Sequence, residues 1–175
     1  MRTRSTSTIV AIAAAALIGL AGCSAESAPP EATVTAGDVV TIEDAWVKAA
    51  DAGMSAAFGT LVNSGTEEVT VVSATSPASA QVELHETVAD ESGEMIMRPK
   101  EGGFTIPAGE SLALEPGGSH IMLMGLTGPI MAGADVHVML TFSDGSTYEI
   151  HAPAKDYSGA NENYQPGEPD MGGDR

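Results

Sequence analysis

The residues best equipped for chemistry in this chain are histidine and methionine: 4 His and 9 Met against 1 Cys. In the run Ser119-His120-Ile121-Met122-Leu123-Met124, an extended backbone alternates side chains between two faces. His120, Met122 and Met124 then share one face, and Ile121 and Leu123 share the other, the core face. Side chains two apart on a strand start about 6.6 Å apart at the backbone, so flexible ones can converge on one ion. A second group is Val82-Glu83-Leu84-His85 with Met95-Ile96-Met97, on either side of a turn at residues 90–93. A hairpin centred on Glu91 sets His85 opposite Met97, with Cβ atoms about 5 Å apart. A centre one residue earlier sets His85 opposite Met95 instead.

Two His/Met pairs form a donor set for a soft ion. Thioether sulfur is neutral and polarizable and suits copper(I). Zinc favours thiolate, imidazole or carboxylate, and calcium and magnesium favour oxygen. One copper(I) per domain is the expectation. Both imidazoles must be neutral to bind, so affinity should fall below about pH 6. His137 and Met139 repeat the spacing, but Val136, Val138 and Leu140 are the core positions there, so this pair reads as surface or packing. His151 reads as structural, and Met54, in a Gly53-Met54-Ser55 bend, as a mobile accessory. A blue-copper centre needs a cysteine ligand. No nucleophile–base arrangement stands out, and Ser119 points away from the face of His120. An enzyme is therefore not expected.

Short strands with turns between them must position these residues. Residues 39–47, 56–63, 69–74, 81–88, 95–98, 104–106, 111–114, 120–124, 136–142 and 147–151 all read as extended. Asn63-Ser64-Gly65, Glu115-Pro116-Gly117-Gly118 and Asp144-Gly145 supply turns. No window carries a helical stripe. The pattern predicts an all-β antiparallel sandwich or barrel.

The remainder of the chain concerns export. Arg2 and Arg4 precede an apolar run of about 13 residues, too short to span a bilayer. Residues 1–22 read as a secretory signal peptide. Leu20-Ala21-Gly22-Cys23 resembles the lipobox of bacterial lipoproteins, so Cys23 is the expected lipidation site and residues 23–37 a flexible tether. Lipidation consumes the single cysteine, in a compartment where thiols tend to oxidise. The folded domain is expected at residues 38–155, and a disordered acidic tail at 156–175. The net charge of −17 argues against nucleic acid and against an anionic lipid surface as partners.

The stretch from Val82 to Leu126 resembles the periplasmic copper(I) chaperone family called PCuAC. The matching text is VELHET, MIMRP and IPAGESLALEPGGSHIMLMGL. The likeness extends to Asp44-Ala45-Trp46, to Leu61-Val62-Asn63-Ser64-Gly65 and to Thr141-Phe142-Ser143-Asp144-Gly145. The family motif is His, ten residues, Met, twenty-one residues, then HxM. Here eleven residues separate His85 from Met97, and twenty-two separate Met97 from His120. The extra residues are expected in the turns at 90–93 and at Gly102-Gly103, where insertions are tolerated. The resemblance implies His85, Met97, His120 and Met122 as copper ligands, with Met95 and Met124 as alternates, on a cupredoxin-like β-sandwich. It also implies delivery of copper to cytochrome c oxidase, at the dinuclear centre of subunit II, or to another copper chaperone. The expected protein is a monomer, lipid-anchored on the extracytoplasmic face of the membrane. An envelope copper buffer without a specific recipient, and an Ig-like structural lipoprotein, are the alternatives.

Overall fold

The structure is a computed structural model that describes residues 33–158 and 163–164. The expected signal peptide, Cys23 and most of the expected tether and tail lie outside the described residues. Among the described residues, eleven strands follow one short helical turn: α1 (Ala36–Val39), β1 (Val40–Lys48), β2 (Met54–Asn63), β3 (Val69–Thr75), β4 (Ser79–Ala89), β5 (Met95–Pro99), β6 (Phe104–Ile106), β7 (Ser111–Leu114), β8 (His120–Leu126), β9 (Asp135–Phe142), β10 (Thr147–Lys155) and β11 (Asn163–Tyr164). The ten expected strands are all present. The turn α1 is an addition. Its Ala36 N–H donates to the Asp144 carboxylate at 2.8 Å and its Gly37 N–H to Ser146 Oγ at 2.9 Å. The boundary expected between tether and domain, at residues 37 and 38, thus falls inside a docked segment. β11 is the second addition, within the stretch expected to be a disordered tail. It pairs in parallel with β5, Tyr164 beside Met97.

The hydrogen-bonded order is β11-β5-β4-β8-β2-β1-β10-β9-β3-β6, with β7 on β2. The pairings are antiparallel except β1 with β10 and β11 with β5. The path folds into two halves joined where Val47 meets Ala154. Between them lies one apolar core that includes Leu61, Val71, Ile106, Ile121, Leu123, Val138, Leu140 and Ile150. The architecture is an all-β, cupredoxin-like sandwich. β9 and β10 alternate more buried residues with more exposed ones, because their outer faces meet solvent.

β1 and β8 depart from that alternation, and both departures shape the site. Val40 and Val47 both enter the core, although they stand seven positions apart and strict alternation would put them on opposite faces. A bulge between Glu43 and Trp46, with Asp44 at φ 51°, inserts the extra residue that resets the phase. Gly59 faces this bulge, and a Cβ there would sit 3.0 Å from the Glu43 carbonyl oxygen. The bulge sets Trp46 on the outer face, opposite Phe58. In β8 the first four residues are buried on both faces. Ile121 and Leu123 face the main core, while Met122 joins a second cluster with Ala56 and Phe58, flanked by Trp46 and Met124. Asn63 pins the far end of β2: its side-chain amide donates to the carbonyls of Glu67, Ile106 and Pro107 and accepts from the Gly65 N–H.

Candidate metal centre

The site lies on the outer face of β4, β5 and β8. Pairing of β4 with β8 sets His85 directly opposite His120 and Glu83 opposite Met122. The two imidazole centroids are 5.5 Å apart. His85 is 0% exposed and His120 is 2% exposed, an unusual degree of burial for histidine. His120, Met122 and Met97 line one cavity of about 140 Å³, together with Met54, Ala56, Phe58 and Lys48. Phe58 packs 6.2 Å from the His120 ring, centroid to centroid, and Trp46 stacks on Phe58 at 4.5 Å. The aromatic pair walls off one side of the His120 imidazole from water.

The structure revises the register of the β4–β5 hairpin. His85 lies opposite Pro99, not Met97 or Met95; Met97 faces Thr87, and Met95 faces Ala89. The reason is the turn. Its loop is Glu91-Ser92-Gly93, with Gly93 at φ 84° and the Asp90 carboxylate accepting from the Ser92 and Glu94 N–H groups. Such a three-residue loop with a left-handed glycine centres the hairpin on Ser92. A two-step shift preserves the face, so Met97 stays beside His85 as its diagonal neighbour, at about 7 to 8 Å between Cα atoms. Met97 is 7% exposed and reaches the cavity, whereas Met95 is 48% exposed, one pair further along. The geometry therefore sets His85 against His120, gathers His120, Met97 and Met122 around the cavity, and leaves Met95 outside its lining. Met124 shares the face but pairs with Gln81 and Met54, one step beyond Met122. The second expected insertion, at Gly102-Gly103, is a turn with both glycines at positive φ; a Cβ on Gly103 would collide with the Val71 carbonyl.

Hydrogen bonds orient both rings. His120 Nδ1 lies 3.1 Å from the Gly118 carbonyl oxygen, so Nδ1–H donates there and Nε2 carries the lone pair. His85 Nε2 stands 2.7 Å from Glu83 Oε2, and the Gln81 side-chain amide donates to the other carboxylate oxygen at 2.6 Å. A carboxylate behind an imidazole fixes its tautomer and raises its basicity as a ligand. Glu83 is a neighbour that the His and Met spacing alone does not reveal. Its signal is the position two residues before His85, on the same strand face. The donor set is thus two oriented imidazoles and two thioethers, with no thiolate, since the only cysteine is Cys23. That set fits a soft monovalent ion.

Comparison with known proteins agrees with this architecture. Residues 40–154 match the family described as "Putative lipoprotein LpqE-like". The protein "Putative lipoprotein Lxx21020" of Leifsonia xyli subsp. xyli is 51% identical over 155 residues, covering 87% of this chain and 92% of its own length. The copper-bound PCuAC domain from PmoF2 superposes with a TM-score of 0.58 at 20% identity, over 70% of this chain and 97% of that domain, a likeness of fold. The copper(I) form of DR1885 from Deinococcus radiodurans is 27% identical, with a TM-score of 0.53, over 70% of this chain and 84% of that one. With the family match spanning the folded domain and a relative identical at half its positions, the chain belongs to the LpqE-like lipoprotein family, built on the PCuAC type of β-sandwich.

Proposed function

We propose that the protein is an extracytoplasmic, lipid-anchored copper(I) chaperone. It holds one ion per domain with His85, Met97, His120 and Met122, and passes it to the dinuclear copper centre of cytochrome c oxidase during assembly. The observation that carries this reading is the buried cross-strand pair of His85 and His120 beside a cavity lined by the thioethers of Met97 and Met122. Burying two imidazoles costs free energy unless they are used or well hydrogen-bonded, and the thioethers make the donor set soft. The copper(I) state in which DR1885 was solved supports the assignment of the ion. The ion itself is cargo. Met54 lines the same cavity and is 49% exposed, which gives a departing ion a further thioether on the solvent side and favours stepwise ligand exchange. The anchor at Cys23 keeps the domain near membrane-embedded recipients and raises its local concentration.

The test is an anaerobic copper(I) titration against a competing chelator, followed by transfer. The expected result is one ion per chain, strongly weakened by His120→Ala with Met122→Ala. Transfer to the apo copper domain of oxidase subunit II should then run faster than spontaneous ion release. Binding that is unchanged in the double variant refutes the site. Transfer no faster than release refutes the chaperone role and leaves a copper buffer.

A further inference from the structure

We infer that the outer face of β9 and β10 carries a second metal site, for a divalent ion of the borderline class, formed by Asp135, His137 and His151, with Glu149 accepting from the other ring nitrogens. Copper(II) is its preferred ion and zinc(II) the next. This inference rests on different residues, on the other half of the sandwich, and does not depend on the copper(I) reading.

The register builds the cluster. β9 and β10 pair so that His137 lies directly opposite His151, with Asp135 and Glu149 diagonal to them on the same face. The imidazole centroids are 4.2 Å apart. Asp135 Oδ2 lies 3.5 Å from His137 Nε2 and 3.4 Å from His151 Nδ1. Glu149 closes the other side, with Oε1 3.1 Å from His137 Nδ1 and Oε2 3.6 Å from His151 Nε2. Ligand atoms of Asp135, His137 and His151 all fall within 4.8 Å of one another. Donors bonded to one ion at about 2.0 to 2.1 Å stand at most about 4.2 Å apart. Small rotations of side chains that are 44 to 59% exposed close that difference.

Donor chemistry selects the ion. Two imidazoles with a carboxylate suit copper(II) or zinc(II), and affinity rises to copper(II) along the divalent series. Calcium and magnesium would forgo the imidazoles. Copper(I) favours the thioethers of the other face. The open side of the cluster leaves room for water ligands, and the net charge of −17 draws cations toward the surface.

The same contacts could instead be ion pairs between carboxylates and protonated imidazoles, and the experiment separates the two. The full-length protein in detergent, already loaded with copper(I), is titrated with copper(II) and separately with zinc(II). Copper(II) is followed by electron paramagnetic resonance and both by calorimetry. The expected result is one further divalent ion per chain, with nitrogen hyperfine structure for copper(II). His137→Gln with His151→Gln should weaken it at least 30-fold while copper(I) affinity and thermal midpoint stay as in the parent. Asp135→Asn with Glu149→Gln should weaken it at least 5-fold. His120→Ala with Met122→Ala should leave it unchanged. Copper(II) and zinc(II) affinities that stay within threefold in the His137/His151 variant overturn the inference. So does a copper(II) spectrum without nitrogen coupling in the parent.

Discussion

All four histidines of the chain stand in two cross-strand pairs, His85 with His120 and His137 with His151. The backbone arrangement is the same: two antiparallel strands, directly opposed residues, rings on the outer face of the sandwich. The surroundings differ. The first pair is almost fully buried, walled by Phe58, and neighboured by Met97 and Met122. The second is about half exposed and neighboured by Asp135 and Glu149. The difference comes from what covers each sheet. The bulge in β1 sets Trp46 over Phe58 and builds an apolar wall around the first pair. β9 and β10 have bare outer faces, so their second pair keeps polar neighbours. A cross-strand histidine pair is therefore a neutral scaffold. Burial and the flanking side chains set whether its donor set is soft or borderline.

The sharpest way to break the contrast is to remove the soft donors. His120→Ala with Met122→Ala should cost at least about 1000-fold in copper(I) affinity, about 4 kcal/mol, in a chelator competition. On the opposite face of the same strand, Leu123→Ala should cost about 2 to 5 kcal/mol of folding stability, read by chemical denaturation. Met122→Leu conserves volume, so its stability should stay within about 1.5 kcal/mol while copper(I) affinity falls. This pair of variants separates the packing role of β8 from its ligand role.

Glu83→Gln sharpens the comparison from behind the ring. The His85 imidazole would lose a carboxylate acceptor, and copper(I) affinity should fall about 10- to 100-fold. No such change is expected in divalent binding at the second pair.

Smaller effects lie at the surface. Glu86 receives Lys100 and Arg98, and its carboxyl is held below the usual range, chiefly by the Lys100 hydrogen bond. A carboxyl with a depressed folded pKa adds stability that is present above its unfolded value of about 4.3 and is lost as pH falls through the folded value. Glu86→Gln should therefore lower stability at pH 7 by no more than about 1 kcal/mol and flatten the acid limb below about pH 4.5. The smallest effect belongs to the exposed pair. His137→Gln with His151→Gln should move folding stability by about 0.5 kcal/mol or less in the absence of metal.

Local sequence determined much of this protein. Alternation marked the ten strands, and it put His120 and Met122 on the face away from Ile121 and Leu123, because side-chain period is a property of the strand itself. Turn residues placed the hairpin near residues 90–93. Tertiary structure decided the rest. The β4–β5 register depends on Gly93 taking a left-handed conformation within a three-residue loop, so Met97 became a diagonal neighbour of His85. The opposition of His85 and His120 depends on β4 pairing with β8 across more than thirty residues of intervening chain, and no local pattern specifies which distant strand a given strand will choose. The gathering of His137 and His151 with two carboxylates has the same origin. Each residue alternates correctly on its own strand, but only the register of β9 against β10 brings the four together. Residue type fixed which atoms could bind a metal, and long-range strand pairing fixed which of them could bind the same one.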